Sequence, residues 1–187
     1  MLVINTGDGK GKTTAALGAA LRAVGRGKNV LMIQFIKGPW ESGEDISVGE
    51  LLNREAVAKS NIKTGEFVLK KMGKGFVGIL GDSLPIEEHK RAAQQALEFA
   101  RGELEGKKWD LVILDEINVA LSLKLLDLKQ VLEAVDNFLE DCQDCLLLLT
   151  GRGVAKELID RADLVTEMKE IKHPYNQGKD AKISLEF

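Results

Sequence analysis

Cysteine and histidine are nearly missing from this sequence, with two of each in 187 residues. Cys142 and Cys145 make one C-x-x-C pair, no second pair exists, and His89 and His173 lie far from it along the chain. That argues against a zinc or redox centre, which needs a second pair or a nearby partner. Cys145 leads directly into Leu146–Leu149 and reads as a small buried hydrophobe. No apolar run is long enough to cross a bilayer. Positive charge is not in excess either: Lys+Arg 26 stand against Asp+Glu 29, a formal net charge of -3, so the footprint of a general nucleic-acid binder is missing. The first strand starts almost at Met1, so no signal peptide is expected. The chain is read as cytoplasmic, where a disulfide is not expected. There are no repeats and no low-complexity segment. What remains is ordinary for a globular protein, 44% hydrophobic and 29% charged, long enough for one domain spanning residues 1–187 with a proper core.

Against that background one stretch stands out: Gly7-Asp8-Gly9-Lys10-Gly11-Lys12-Thr13-Thr14. It follows the apolar run Leu2-Val3-Ile4 and opens an alanine-rich helical pattern over Lys12–Val24, closed by Gly25 and Gly27. Strand, glycine-rich loop and helix are the context of a phosphate-binding loop. Glycines let successive backbone N–H groups turn around an anion, the helix N-terminus adds its dipole, and Lys12 supplies a full charge. The Thr13 hydroxyl is placed to ligate a nucleotide's magnesium. The usual G-x-x-x-x-G-K-[ST] pattern is not met, because Thr6 stands at its first glycine, so the loop is a shortened variant. A dinucleotide fingerprint fails as well, since Lys12 occupies the third glycine position.

The rest of the chain alternates strand and helix. Val30–Ile36 reads as a strand buried on both faces and ends at Lys37-Gly38-Pro39-Trp40. Ser47–Ala58 is expected as a helix and Glu66–Met72 as a strand. Gly73, Gly75, Gly78 and Gly81 then crowd a loop around Phe76. Lys59, Lys63, Lys70, Lys71 and Lys74 read as a solvated face. A long helix is expected with Ser83 as its cap and Pro85 in its first turn, ending at Gly106. Leu111-Val112-Ile113-Leu114-Asp115-Glu116 is a buried strand delivering two acids at its carboxyl end, the second half of a nucleotide site, where a carboxylate holds Mg²⁺ directly or through water. Asp127 and Gln130 read as a capping pair. Leu146–Leu149 ends in Thr150-Gly151-Arg152-Gly153, where Arg152 is a phosphate-contact candidate. A short helix near Lys156–Arg161, a strand at Leu164–Met168, a loop over Ile171–Gly178 and a last strand near Ile183–Leu185 complete the expectation. The class is α/β, a P-loop (RecA-like) mostly parallel sheet with helices on both faces.

Taken together, Gly7–Ala16, Leu21-Arg22-Ala23, Gln34–Gly38, Leu114-Asp115-Glu116, Thr150–Gly153 and Lys172-His173-Pro174-Tyr175 resemble the P-loop corrinoid adenosyltransferases of the CobA/BtuR type over nearly the whole chain. The resemblance implies transfer of the 5′-deoxyadenosyl group of ATP to the Co(I) of a reduced corrinoid, with release of triphosphate. It implies ATP contacts from Gly7 to Thr14 and from Arg152, and Mg²⁺ or Mn²⁺ on Thr13, Glu116 and Asp115. It also implies an irregular corrinoid-facing region at about 38–84, a homodimer, and a flavoprotein-type reductase as electron donor. Lys12 and Phe76 are the residues expected to act on the reaction. Phe76 matches the first of a family pair of aromatics thought to displace the corrinoid's lower ligand; Gly78 stands at the second, so Phe76 acts alone or another aromatic such as Trp40 substitutes. Some family members cover the corrinoid with an extra N-terminal segment, so a partner subunit is expected to close the site here, or else the site stays more open. A small-molecule kinase, or an ATP-dependent RecA-like switch or binding module, would use the same loop and acids; the kinase would release ADP and the switch would bind a polymer.

Overall fold

Runs of consecutive apolar residues, with no alternation, make strands that must be covered on both faces. The structure, a computed structural model, describes residues 1–47, 64–79, 81–142 and 144–173. In chain order its elements are β1 (Leu2–Thr6), α1 (Lys12–Val24), β2 (Val30–Gln34), α2 (Gly43–Ile46), β3 (Phe67–Lys71), α3 (Ile86–Glu105), β4 (Leu111–Asp115), α4 (Ile117–Ser122), α5 (Leu128–Asp141), β5 (Leu146–Thr150), α6 (Lys156–Ile159) and β6 (Leu164–Glu167). The strands form one sheet in the order β3-β2-β4-β5-β1-β6, and every pairing is parallel. β1, β2 and β4 are buried residue for residue.

The two-residue period of a strand sorts their side chains between two cores. Leu2, Ile4, Leu31, Ile33, Val112, Leu114, Leu147 and Leu149 face one way, against Ala93, Leu97 and Ala100 of α3, Ile117 of α4 and Val131, Val135 and Phe138 of α5. Val3, Val30, Met32, Ile113 and Leu148 face the other way, against Ala16, Ala20 and Val24 of α1. Alanines on the inner faces of α1 and α3 let both helices lie close to the sheet. The consequence for function is that the carboxyl ends of β1, β2, β4 and β5 meet along one rim, the place where open α/β sheets bind ligands.

Several expectations are corrected. α3 starts at Ile86 with Pro85 at its N-cap and no side-chain cap. Ser83 lies two residues before that N-cap; beside it, the Asp82 carboxylate accepts the N–H groups of Gly78 (2.8 Å) and Leu84 (3.0 Å) and meets His89 Nε2 at 3.1 Å. Asp127 does cap α5, accepting from the N–H groups of Lys129 and Gln130. Lys71 is not a solvated charge: it pairs with Asp45 and donates to the Trp40 carbonyl at 2.6 Å. Cys142 and Cys145 are joined in a disulfide across the turn from α5 to β5, their Cα atoms 5.5 Å apart. The contrary expectation rested on compartment alone, which carries no geometric information. The helix expected at Ser47–Ala58 lies outside the described residues except for Ser47, and so do the tail from Pro174 onward and the strand near Ile183–Leu185. No helix among the described residues is long and apolar enough to cross a membrane.

Candidate active site

At the end of β1 the chain must turn sharply into α1, and Gly7 (φ +93°) and Gly11 (φ +109°) take the left-handed conformations that make the turn. Lys12 opens α1 but is only 7% exposed. Its Nζ folds back to donate to the carbonyls of Gly7 and Gly9, both at 2.7 Å. Burial pushes its pKa down, and so does the nearby Arg152; Glu116 and Asp8 act in the opposite direction. The glycines have a second role that the sequence did not reveal. A Cβ on Gly7 would lie 2.4 Å from the Met168 carbonyl oxygen, and one on Gly9 would lie 2.7 Å from the backbone of Lys169. Gly9 N–H donates to that Met168 oxygen at 2.7 Å. The loop is thus braced by the chain leaving β6, and only glycine fits in between.

The acids come from β4. Asp115 is fully buried. Its Oδ1 accepts from the hydroxyls of Thr13 (2.9 Å) and Thr150 (2.7 Å), and its Oδ2 accepts from Gln34 Nε2 (3.2 Å). These bonds favour the carboxylate, yet burial dominates and raises its pKa. Glu116 follows in the left-handed region at φ +63°, where a residue with a bulky side chain is unusual. Its N–H donates to Thr150 Oγ1 at 2.9 Å. Burial and then the neighbouring Asp115 raise its pKa to about 6, against the charges of Lys12, Arg152 and Lys37.

Lys12, Thr13, Asp115, Glu116 and Arg152 are therefore brought together, as the spacing implied. Asp8, Lys10 and Thr14 stand exposed at the loop and helix start. Phe76 belongs to a different part of the rim. Its ring lies 6.3 Å from that of Trp40 at an interplanar angle of 31°, and the two are 45% and 62% exposed. Trp40 sits over Gly38 and Gly75, where a Cβ would approach its ring to 2.8 and 2.5 Å. β2 links the two halves. Gln34 at its end also donates to Glu44 Oε1 at 3.4 Å, Glu44 pairs with Lys37, and Ile36 O accepts from Gly75 N–H at 2.8 Å. Gln34, Thr150 and the Met168 brace were not read from the sequence. Gln34 carried a signal, being a buried amide at a strand end, and its Oε1 has no partner among the described residues. Thr150 lay in the strand-end motif Thr150–Gly153 but was assigned no role, and the Met168 brace carried no signal.

The Glu116 shift has a measurable consequence. The group ionises near 4.5 when unfolded and near 6 when folded, so the native state binds the proton more tightly. Stability from this group is fully present below about pH 4.5 and is lost as pH rises through 6. The difference is about 2 kcal/mol. Glu116→Gln should therefore be more stable than the parent above pH 6, with the gap closing toward pH 4.5. Urea titrations of both proteins across that window read it; a gap independent of pH would contradict the burial of this carboxyl.

Known proteins match this chain along its whole length. A family model described as "ATP:corrinoid adenosyltransferase BtuR/CobO/CobP" matches residues 1–187. The corrinoid adenosyltransferase of Escherichia coli K12 is 34% identical over 187 residues, covering 100% of this chain and 85% of that protein. The corrinoid adenosyltransferase CobA of Salmonella typhimurium is 33% identical over the same lengths, and one from Sinorhizobium is 34% identical, covering 80% of that protein. Among solved structures, the flagellar accessory protein FlaH of Methanocaldococcus jannaschii superposes with a TM-score of 0.53 over 89% of this chain and 69% of its own, at 9% identity. That is a likeness of fold only.

Proposed function

This chain belongs to the ATP:corrinoid adenosyltransferase family, and from that premise we propose how its own residues divide the work. The reaction moves the 5′-deoxyadenosyl group of ATP to the Co(I) of a reduced corrinoid and releases triphosphate. Co(I) is itself the nucleophile, so no side chain has to serve as a general base. What the protein supplies is position for C5′ and the cobalt, and stabilisation of charge on the departing triphosphate. Gly7–Thr14 hold the triphosphate, Lys12 carries the principal charge and Arg152 adds a second.

The donor set fits magnesium. A threonine hydroxyl and two carboxylates are hard oxygen ligands, and Mg²⁺ commonly takes one or two carboxylates while substrate phosphates and water complete its shell. Thr13 and Glu116 would hold it directly. Asp115, whose oxygens already accept three hydrogen bonds, would act from behind by orienting Thr13. Bound there, Mg²⁺ or Mn²⁺ would neutralise charge on the leaving triphosphate.

The corrinoid side is carried by one observation: an exposed aromatic pair, Trp40 and Phe76, at the end of the strand whose Gln34 touches Asp115. Exposed apolar residues also occur at Ile46, the last residue of α2, at Ile79 and Leu84 in the segment after β3, and at Ile86, the first residue of α3. An exposed aromatic pair beside a polar site suits a flat apolar ligand, and a macrocycle is one. Gly78 leaves the second aromatic position empty, and Trp40 takes that part from the other loop. A flavoprotein-type reductase would supply the electron that takes Co(II) to Co(I), and a homodimer in the cytoplasm is the working assembly.

Anaerobic mixing with ATP and Co(II) corrinoid tests the aromatic role by magnetic circular dichroism. Phe76→Ala and Trp40→Ala should each lose the four-coordinate Co(II) signal and bind corrinoid about tenfold more weakly, the scale of one lost aromatic contact. A Phe76→Ala protein that keeps the signal would rule out the wedge. The product identifies the reaction class: triphosphate accompanies adenosyl transfer, and ADP would mean a kinase.

A further inference from the structure

We propose that Thr150 is the positioning residue that sets the metal-facing geometry of both acids. This rests on the reading of Thr13 and Glu116 as oxygen donors to the metal. A hydroxyl has one proton to give and lone pairs to accept with. Thr150, fully buried at the end of β5, uses both. It donates to Asp115 Oδ1 at 2.7 Å and accepts the N–H of Glu116 at 2.9 Å. One side chain from the adjacent strand therefore grips the last residue of β4 and the residue that follows it.

Each bond has a separate effect. Asp115 Oδ1 also takes the Thr13 proton at 2.9 Å. With its proton committed there, the Thr13 hydroxyl has only lone pairs left for a cation, and Thr150 holds the carboxylate in the attitude that imposes this. The second bond acts on Glu116. A left-handed glutamate at φ +63° persists only where surrounding contacts over-determine it. Thr150 Oγ1 satisfies the N–H that this conformation turns toward β5. Gly151 follows at φ +126°, flush against Asn118 and Val119 at the start of α4, so the backbone beyond Thr150 is also fitted to the turn that Glu116 makes. Thr6 Oγ1 closes the arrangement from β1 by donating to the Gly151 carbonyl at 3.0 Å. Valine at position 150 would fill the same space, remove the donor to Asp115 and leave the Glu116 N–H without an acceptor. Serine would keep both bonds.

The experiment measures ATP affinity by calorimetry with EDTA and again with Mg²⁺, and Mn²⁺ affinity of the ATP complex by electron paramagnetic resonance. Thr150→Val should bind metal-free ATP as the parent does, while the affinity gained on adding Mg²⁺ falls by about tenfold or more, the usual scale for losing a group that orients metal ligands. Thr150→Ser should retain the gain. An undiminished gain in Thr150→Val, an equal loss in Thr150→Ser, or an equal loss of metal-free binding would each overturn the inference. If the valine protein does not fold, Thr150→Cys, with its weak donor, takes its place against serine under the same criteria. Glu116→Gln distinguishes this inference from the reading beneath it. An undiminished gain there overturns the metal assignment and the Thr150 role with it, whereas one confined to Thr150→Val overturns the Thr150 role alone.

Discussion

Lys12→Ala should leave a folded protein whose adenosyl transfer is slower by about 10²–10³-fold at saturating Mg·ATP, equivalent to roughly 3–4 kcal/mol of lost transition-state stabilisation. The lysine is 7% exposed, and its ammonium is held by two carbonyls of its own loop. A charge held in a partly desolvated place acts on a developing negative charge with little screening and needs no reorganisation when the leaving group forms. Its contribution grows as the triphosphate departs, so kcat should fall further than ATP affinity. The same two hydrogen bonds also tie the loop together, so some loosening is expected. Lys12→Arg separates the parts: it keeps a charge and donors, but a planar guanidinium does not fit between two carbonyls that accept a point-like ammonium. Single-turnover rates with chemically reduced corrinoid are the measurement. Near-normal kcat in Lys12→Ala would remove Lys12 from the mechanism.

Gly7→Ala should be strongly destabilising. Two penalties coincide there. The backbone is at φ +93°, and the added methyl would stand 2.4 Å from the Met168 oxygen and 2.8 Å from its nitrogen. Neither neighbour is free to move. Met168 N–H donates to Thr6 O at 2.8 Å, and β1 and β6 are in register through Thr6 and Glu167. The expected loss is about 3 kcal/mol or more, combining backbone strain with overpacking. Gly11→Ala is the internal comparison. Its φ is +109°, but its nearest neighbour is the Met168 Sδ at 3.6 Å, so it should show the strain without the clash, about 1–2 kcal/mol. Urea denaturation of both variants reads the difference directly. Equal losses would mean that the β6 exit does not brace the loop.

The parts legible in advance were the local ones. The helix at about Lys12–Val24 was legible because its start and stop are written in adjacent glycines, and the parallel sheet followed from unbroken apolar runs separated by helical periods. Asp115 and Glu116 were legible as acids at a strand end. Their separate roles were not, because each role depends on a partner far away in sequence: Thr13, Gln34 and Thr150 for Asp115, Thr150 again for Glu116. The cap of α3 was misread because Ser83 fits the local rule, whereas the helix begins two residues later, at Ile86 with Pro85 at its N-cap. The disulfide was misread because compartment was weighed without the turn that brings Cys142 to Cys145. Trp40 was one candidate among others until Gly38 and Gly75 gave its ring a seat beside Phe76.

The sequence by itself determined the class of fold, the glycine-rich loop and the pair of acids, because periodicity, turn residues and strand-end position act over a few neighbouring residues. Only the tertiary structure decided why the loop needs its first two glycines and which carboxylate faces outward. It also decided which hydroxyl holds both acids and which aromatic completes the exposed pair. Each of those depends on side chains or backbone brought from other strands to one rim, and a hydrogen bond or a 2.4 Å approach has no trace in the order of the residues it joins.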